Sequence, residues 1–211
     1  MVIIVVLGRD SLKKICVVAL LTMIILLCGC GSDKTTERLA ETPTKIKVTA
    51  SDVDAKLKEL SAGLVTDYDD MEELTYYRAP IGEDMSVCVM PYVIVDKNYQ
   101  PTLMEHLQYF GSHIIKFDTL YIKSADQVSK FRYENKNVTV PSNKSEGYGG
   151  IMSNEVYDAL KAAVESGYVR VRMEGNAGLE EKELSEKEIA GIKAVFEIYE
   201  YLNQIKVDVG S

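Results

Sequence analysis

Residues 15–27 form thirteen almost wholly apolar positions in a row, preceded by Arg9, Lys13 and Lys14 and stopped by the small residues Gly29 and Cys30. This stretch decides how much of the chain is available to fold. A helix needs about 20 apolar residues to cross the hydrocarbon of a bilayer, and this run is shorter. A basic region, a short apolar core and a small-residue boundary are instead the parts of a secretory leader. Residues 1–29 are therefore expected to be removed after Gly29, leaving Cys30 at the head of the mature chain.

The four residues Leu27-Cys28-Gly29-Cys30 resemble the lipobox of bacterial lipoproteins, in which an apolar residue lies three before the modified cysteine and a small one directly before it. Choosing Cys28 as the acceptor would put bulky Leu27 at the cleavage position, so Cys30 is the better match. The resemblance implies a diacylglycerol on the Cys30 thiol. Two acyl chains, each contributing about 0.8 kcal/mol per buried methylene, hold a protein to a membrane where one does not. The expected location is the outer side of the cell membrane, with the membrane itself as a partner through the lipid.

Charge narrows the other partners. Of the 24 basic and 32 acidic residues, three and one lie in residues 1–29, which leaves the mature chain at a net −10. Nucleic-acid binding draws on Lys and Arg that replace counterions on phosphates, and no basic run survives beyond residue 14, so nucleic acid is excluded as a partner. Anionic lipid would repel such a domain, which should stand off the surface on its anchor. Cys88 is the single cysteine after Cys30. No intrachain disulfide is available to the folded part, and Cys88, inside Val87-Cys88-Val89, reads as a small buried hydrophobe.

Residues 30–50 comprise the lipidated cysteine and a stretch rich in Ser, Thr, Lys and Glu, which reads as a flexible tether. One domain is expected over 51–211. Ser51 with Asp54 suggests a capping box opening a helix over 52–63, with Val53, Leu57 and Leu60 at helical spacing. Runs rich in Val, Ile, Tyr and Thr at 74–78, 86–95, 102–109, 113–123, 130–133 and 138–140 predict strands, with turns at Asp96-Lys97-Asn98 and Phe110-Gly111-Ser112. Ser153 caps a predicted helix to Ser166, residues 168–173 return as a strand, and Ser185 with Glu188 opens a last helix whose Ile192, Val195, Phe196 and Tyr199 require a sheet to cover. Strands clustered between helices predict an α+β fold, a mainly antiparallel sheet with helices packed on one face.

No spacing in the sequence calls for a cofactor or a metal. Asp67, Asp69, Asp70, Glu72 and Glu73 crowd together, but Glu72 stands where a calcium loop needs its sharp-turn glycine, so a solvated acidic turn is expected. His106 and His113 flank a predicted turn with Glu105 beside them. An envelope hydrolase or metal-dependent enzyme using His106, His113 and nearby carboxylates would require those side chains to converge. Gly147-Tyr148-Gly149-Gly150 lacks the Lys-Ser or Lys-Thr of a phosphate loop and reads as a surface loop.

The thirteen tyrosines, with no tryptophan, offer rigid contact area with a polar tip. Tyr76 and Tyr77 are adjacent. In the strand 168–173, alternation places Tyr168, Arg170 and Arg172 on one side, an aromatic and cationic stripe suited either to an acidic ligand or to the protein's own carboxylates. The order Tyr68-Asp69, Tyr76-Tyr77, Tyr92, Phe117-Asp118, Val171-Arg172-Met173 and a final capped helix resembles small lipoproteins of Gram-positive bacteria with no assigned activity. That likeness implies an envelope location and one domain, and it assigns no catalytic residues. The expectation is a non-catalytic module binding an envelope protein or a small ligand, with Tyr76, Tyr77, Tyr168, Arg170 and Arg172 as the candidate contact residues.

Overall fold

The structure, a computed structural model, describes residues 45–133, 138–140 and 145–208. The expected leader, Gly29, Cys30 and the expected tether as far as residue 44 lie outside them. Residues Thr44–Ser211 form one compact unit. It is an α+β domain of mostly antiparallel sheet. Among the described residues no helix is long and apolar enough to cross a membrane.

The largest element is a six-stranded antiparallel sheet in the order β2 (Val65–Asp69), β3 (Leu74–Arg78), β4 (Val87–Val95), β5 (Pro101–Phe110), β9 (Ser145–Ile151) and β8 (Val138–Val140). A second, four-stranded sheet runs β11 (Gly178–Glu183), β10 (Arg170–Gly175), β6 (Phe117–Lys123) and β7 (Val128–Arg132). A short parallel pair joins β1 (Ile46–Thr49) to β12 (Ile205–Asp208). The helices are α1 (Ala50–Leu60), α2 (Asn154–Glu165) and α3 (Glu186–Gln204).

Helix α3 buries Ile192, Val195, Phe196, Ile198 and Leu202 and lies against β3, β4 and β5. It begins with the expected capping box, Ser185 and Glu188 bonding each other's backbone N–H. Gly191 lets it approach Pro80, where a Cβ would stand 2.4 Å from the proline ring. The Ser153 cap of α2 is also as expected.

Helix α1 departs from expectation, because its cap is Thr49, whose hydroxyl accepts from the Asp52 N–H. Residues 46–49, read as tether, are a strand held by β12. The chain therefore leaves extended backbone at Thr49 and is helical by Ala50, before Ser51 can cap it, while Asp54 accepts from the Tyr99 hydroxyl at 2.8 Å.

Two further expectations are corrected. The acidic turn is half strand. Residues 65–69 pair with β3, and the turn follows as the Asp69 carboxylate accepts the Met71 and Glu72 N–H groups. The glycine-rich run is strand β9, paired with both β5 and β8. Gly150 serves close packing, since a Cβ there would meet the Tyr148 hydroxyl at 2.2 Å.

The strand expected over 113–123 begins at Phe117. The preceding backbone instead wraps around the buried carboxylate of Glu146 on β9, which accepts from the N–H groups of Ile115 (2.6 Å), Lys116 (2.9 Å) and Phe117 (2.6 Å). Glu146 thus fixes the crossing from the six-stranded sheet into the four-stranded one.

Candidate functional site

Burial alternates along the central strands of the large sheet. On β4, Val89, Pro91, Val93 and Val95 are buried, while Met90, Tyr92 and Ile94 between them are half-exposed. On β5, Leu103, Glu105, Leu107 and Tyr109 are buried, and Met104, His106, Gln108 and Phe110 are half-exposed. Side chains on a strand alternate between faces, so this pattern describes a sheet with one packed face and one outer face.

The strand register makes that outer face continuous. Val65 pairs with Arg78, Arg78 with Tyr92, Tyr92 with Met104 and Met104 with Ile151, giving one row across five strands. The row spans roughly 19 Å at about 4.8 Å per strand. Its two ends, Val65 at 50% and Ile151 at 70% exposure, are among the most exposed large hydrophobic residues of the domain. A second row runs Asp67, Tyr76, Ile94 and Thr102, and a third Met90, His106 and Gly149.

The polar groups on this face are tied to one another. Arg78 forms a salt bridge with Asp67 and places its guanidinium 4.9 Å from the centre of the Tyr76 ring. Burial pushes the Tyr92 hydroxyl up, with Arg78 acting in the opposite sense. His106 Nε2 lies 3.1 Å from the Gln108 side-chain oxygen. Beside the rows, at the β2–β3 end, a shallow depression of about 500 Å³ is lined by Asp67, Tyr68, Asp69, Met71, Tyr76 and Arg78.

The four-stranded sheet also turns one face outward, with different chemistry. Arg170 pairs with Glu181 and Glu183, each at 3.6 Å, and Arg172 with Glu181 at 3.3 Å and Glu174 at 3.8 Å. Arg172 and Lys130 both lie near the Tyr121 ring, at 5.4 and 5.1 Å. Of the two roles open to the cationic stripe, the geometry shows the internal one, pairing with the protein's own carboxylates.

The five residues singled out in the sequence do not form one site. Tyr76 lies on the outer face of the large sheet. Tyr77, its neighbour, points the other way and is 8% exposed in the core. Arg170 and Arg172 belong to the other sheet, and Tyr168 precedes β10 half-buried. The idea of a tyrosine-rich surface is corrected further by Tyr109 and Tyr133, which are core residues. Tyr133 donates to both oxygens of the buried Glu105, at 3.1 and 3.0 Å, and packs against Phe117 and Tyr148.

The histidine constellation is likewise divided. Glu105 is on the packed face and His106 on the outer one, whereas His113 lies in the loop after β5 with its Nδ1 3.2 Å from the Ser112 hydroxyl. No group of three or more His, Cys, Asp or Glu side chains suited to a metal occurs among the described residues. Cys88 is buried, with Sγ 3.6 Å from the Met85 carbonyl, and burial raises its thiol pKa.

A hollow of about 520 Å³ lies between the connector after β3 and the start of α3, lined in part by Ile81, Asp84, Lys182, Ser185 and Glu188. Its buried charges are already used. Lys182 Nζ contacts Glu188 at 2.8 Å and the Asp84 carbonyl, while Glu188 also accepts from the Gly82 N–H and from Ser185. Burial pushes the Glu188 carboxyl up, but Lys182 and the Ser185 bonds outweigh it and hold the group below its usual range. This cluster clamps the connector to the helix.

The outer-face residues were hidden in the sequence because strand periodicity gives two faces without saying which is covered. Met90, Tyr92, Ile94 and Met104 read equally well as core. The chain matches no protein-family model, no curated protein sequence and no solved structure.

Proposed function

We propose that this chain is a lipid-anchored protein of the bacterial cell envelope whose domain is a non-catalytic interaction module, working through the outer face of the six-stranded sheet. The leader pattern and the Leu27-Cys28-Gly29-Cys30 motif support the anchor. The row Val65-Arg78-Tyr92-Met104-Ile151 carries the module reading. Contiguous apolar surface bordered by polar residues marks interaction sites, and aromatic residues, Met and Arg are enriched in interface cores. The face is broad and shallow, which suits a protein partner better than a small molecule needing a concave pocket.

Two experiments test this. Intact-mass analysis of membrane fractions should give a chain beginning at Cys30 and carrying acyl groups, a species lost in Cys30→Ala; an unprocessed wild-type chain rules out the anchor. A photo-crosslinking residue placed at Tyr92 should join the protein to a discrete envelope partner in intact cells, and the same residue at Tyr121 on the other sheet should not. Equal yields from both positions would sink the assignment of the face.

A further inference from the structure

We infer that the occupant of the outer face is a cationic, apolar segment of another protein, an inference that rests on the reading of that face as the contact surface. Met90, Tyr92, Ile94 and Met104 at the centre of the face, with Val65 and Ile151 exposed at its ends, say that the occupant brings apolar side chains. The β2 edge says what charge it carries there. Asp67 and Asp69 lie on the face at the β2 edge, and the turn that follows exposes Asp70, Met71 and Glu72, Met71 at 91%.

Asp67 is neutralised by Arg78, and one oxygen of Asp69 serves the turn backbone. Asp70 and Glu72 point the balance of this edge to negative. Met71 and Tyr76 in the same depression offer apolar surface along which the alkyl stem of a lysine or arginine can lie while its charge reaches the acids.

Charge complementarity also decides between occupants. The mature chain carries a net −10, so a second copy brings the same acidic border and an anionic membrane is repelled. A basic protein segment is steered toward the domain, faster at low salt.

The test uses the domain Thr44–Ser211, a compact unit with its own core, and two labelled peptides, one alternating lysine with valine and one alternating threonine with valine. Fluorescence anisotropy should show the lysine peptide binding more tightly. Tyr92→Glu should weaken it about tenfold, the loss expected of an interface aromatic, although the substitution adds a negative charge. Ile151→Glu, at a 70% exposed position, repeats the test should Tyr92→Glu fail to fold. Tyr121→Glu should not weaken binding.

Equal affinity for the threonine peptide, still lost in Tyr92→Glu, overturns the cationic occupant and leaves the face intact as a contact surface. Unchanged or tighter lysine-peptide binding in both outer-face variants means attraction by net charge alone, and both readings fall. A wild-type dimer in sedimentation that Tyr92→Glu dissolves identifies a second copy as the occupant and overturns the inference.

Discussion

The six-stranded and four-stranded sheets each bury one face and turn the other outward, yet the outward faces carry different chemistry. On the smaller sheet Arg170 and Arg172 are answered by Glu174, Glu181 and Glu183 from the same hairpin. Charges satisfied across a sheet present a hydrated surface with little to gain from a partner. On the larger sheet the corresponding positions are Met90, Tyr92, Ile94 and Met104, which have no comparable internal answer and gain by leaving water. Charge patterning within one domain thus separates a finished surface from an unfinished one.

The comparison presupposes that the two sheets are locked together, and Glu146 is the lock. Glu146→Ala leaves three backbone N–H groups without their acceptor, at a cost of roughly 1–3 kcal/mol for each that stays buried. We expect a loss of about 4 kcal/mol in urea unfolding, and a loss below about 1 kcal/mol would show that the sheets hold together without it.

Ion pairs in the two environments sharpen the contrast. Lys182 and Glu188 are 6% and 10% exposed, and removing one partner of a buried pair costs about 3 kcal/mol. Because the folded Glu188 carboxyl is held below its usual range, its contribution is present above an unfolded pKa of about 4.3 and is lost as pH falls through the lower folded value. Glu188→Gln should be less stable at neutral pH and lose less of its remaining stability on acidification. An unaltered slope of stability against pH below about 5 would contradict the pairing.

The packed and outer faces should also differ at adjacent glycines of β9. A Cβ at Gly150 meets Tyr148, which is packed against Tyr133, whereas one at Gly149 stands 3.7 Å from the His106 ring, an ordinary contact. Gly150→Ala should lower stability by about 1–3 kcal/mol and Gly149→Ala hardly at all; equal thermal shifts would mean that the two faces are not different.

The smallest effect belongs to Arg172→Ala. Its partly exposed pairs contribute about 0–1 kcal/mol, and the difference should shrink in high salt. A large, salt-insensitive loss would make that face structural in a way its charges do not explain.

Much of this fold was legible because its signals are local. Strand β3 spans Leu74–Arg78 as expected, β4 and β5 differ by a residue at their ends, and the Ser153 and Ser185 caps start α2 and α3. Apart from β2, whose acidic residues read as a turn, the strands missing from the sequence reading are extended for reasons that lie in other segments of the chain. Strand β1 needs β12, some 160 residues away, and β11 is stabilised by arginines on β10 that answer its glutamates. Strand β9 has glycine at position 150 because the Tyr148 side chain occupies the space.

Of the five candidate contact residues, only Tyr76 lies on the candidate surface. Arg170 and Arg172 were seen as a pair, but their partners on β11 appear only once that strand folds back. Faces are settled by what covers them, and that is a tertiary fact.

The buried thiol of Cys88 also makes this domain its own stopwatch. Burial disfavours the thiolate, the form that reacts, so a labelling reagent must wait for β4 and the connector near Met85 to part. The pace of its modification reads how often that region breathes, with no engineered residue. An occupant seated across Met90 and Tyr92, the next outward positions along the same strand, should slow that pace, turning an inert core atom into a gauge of whether the outer face is covered.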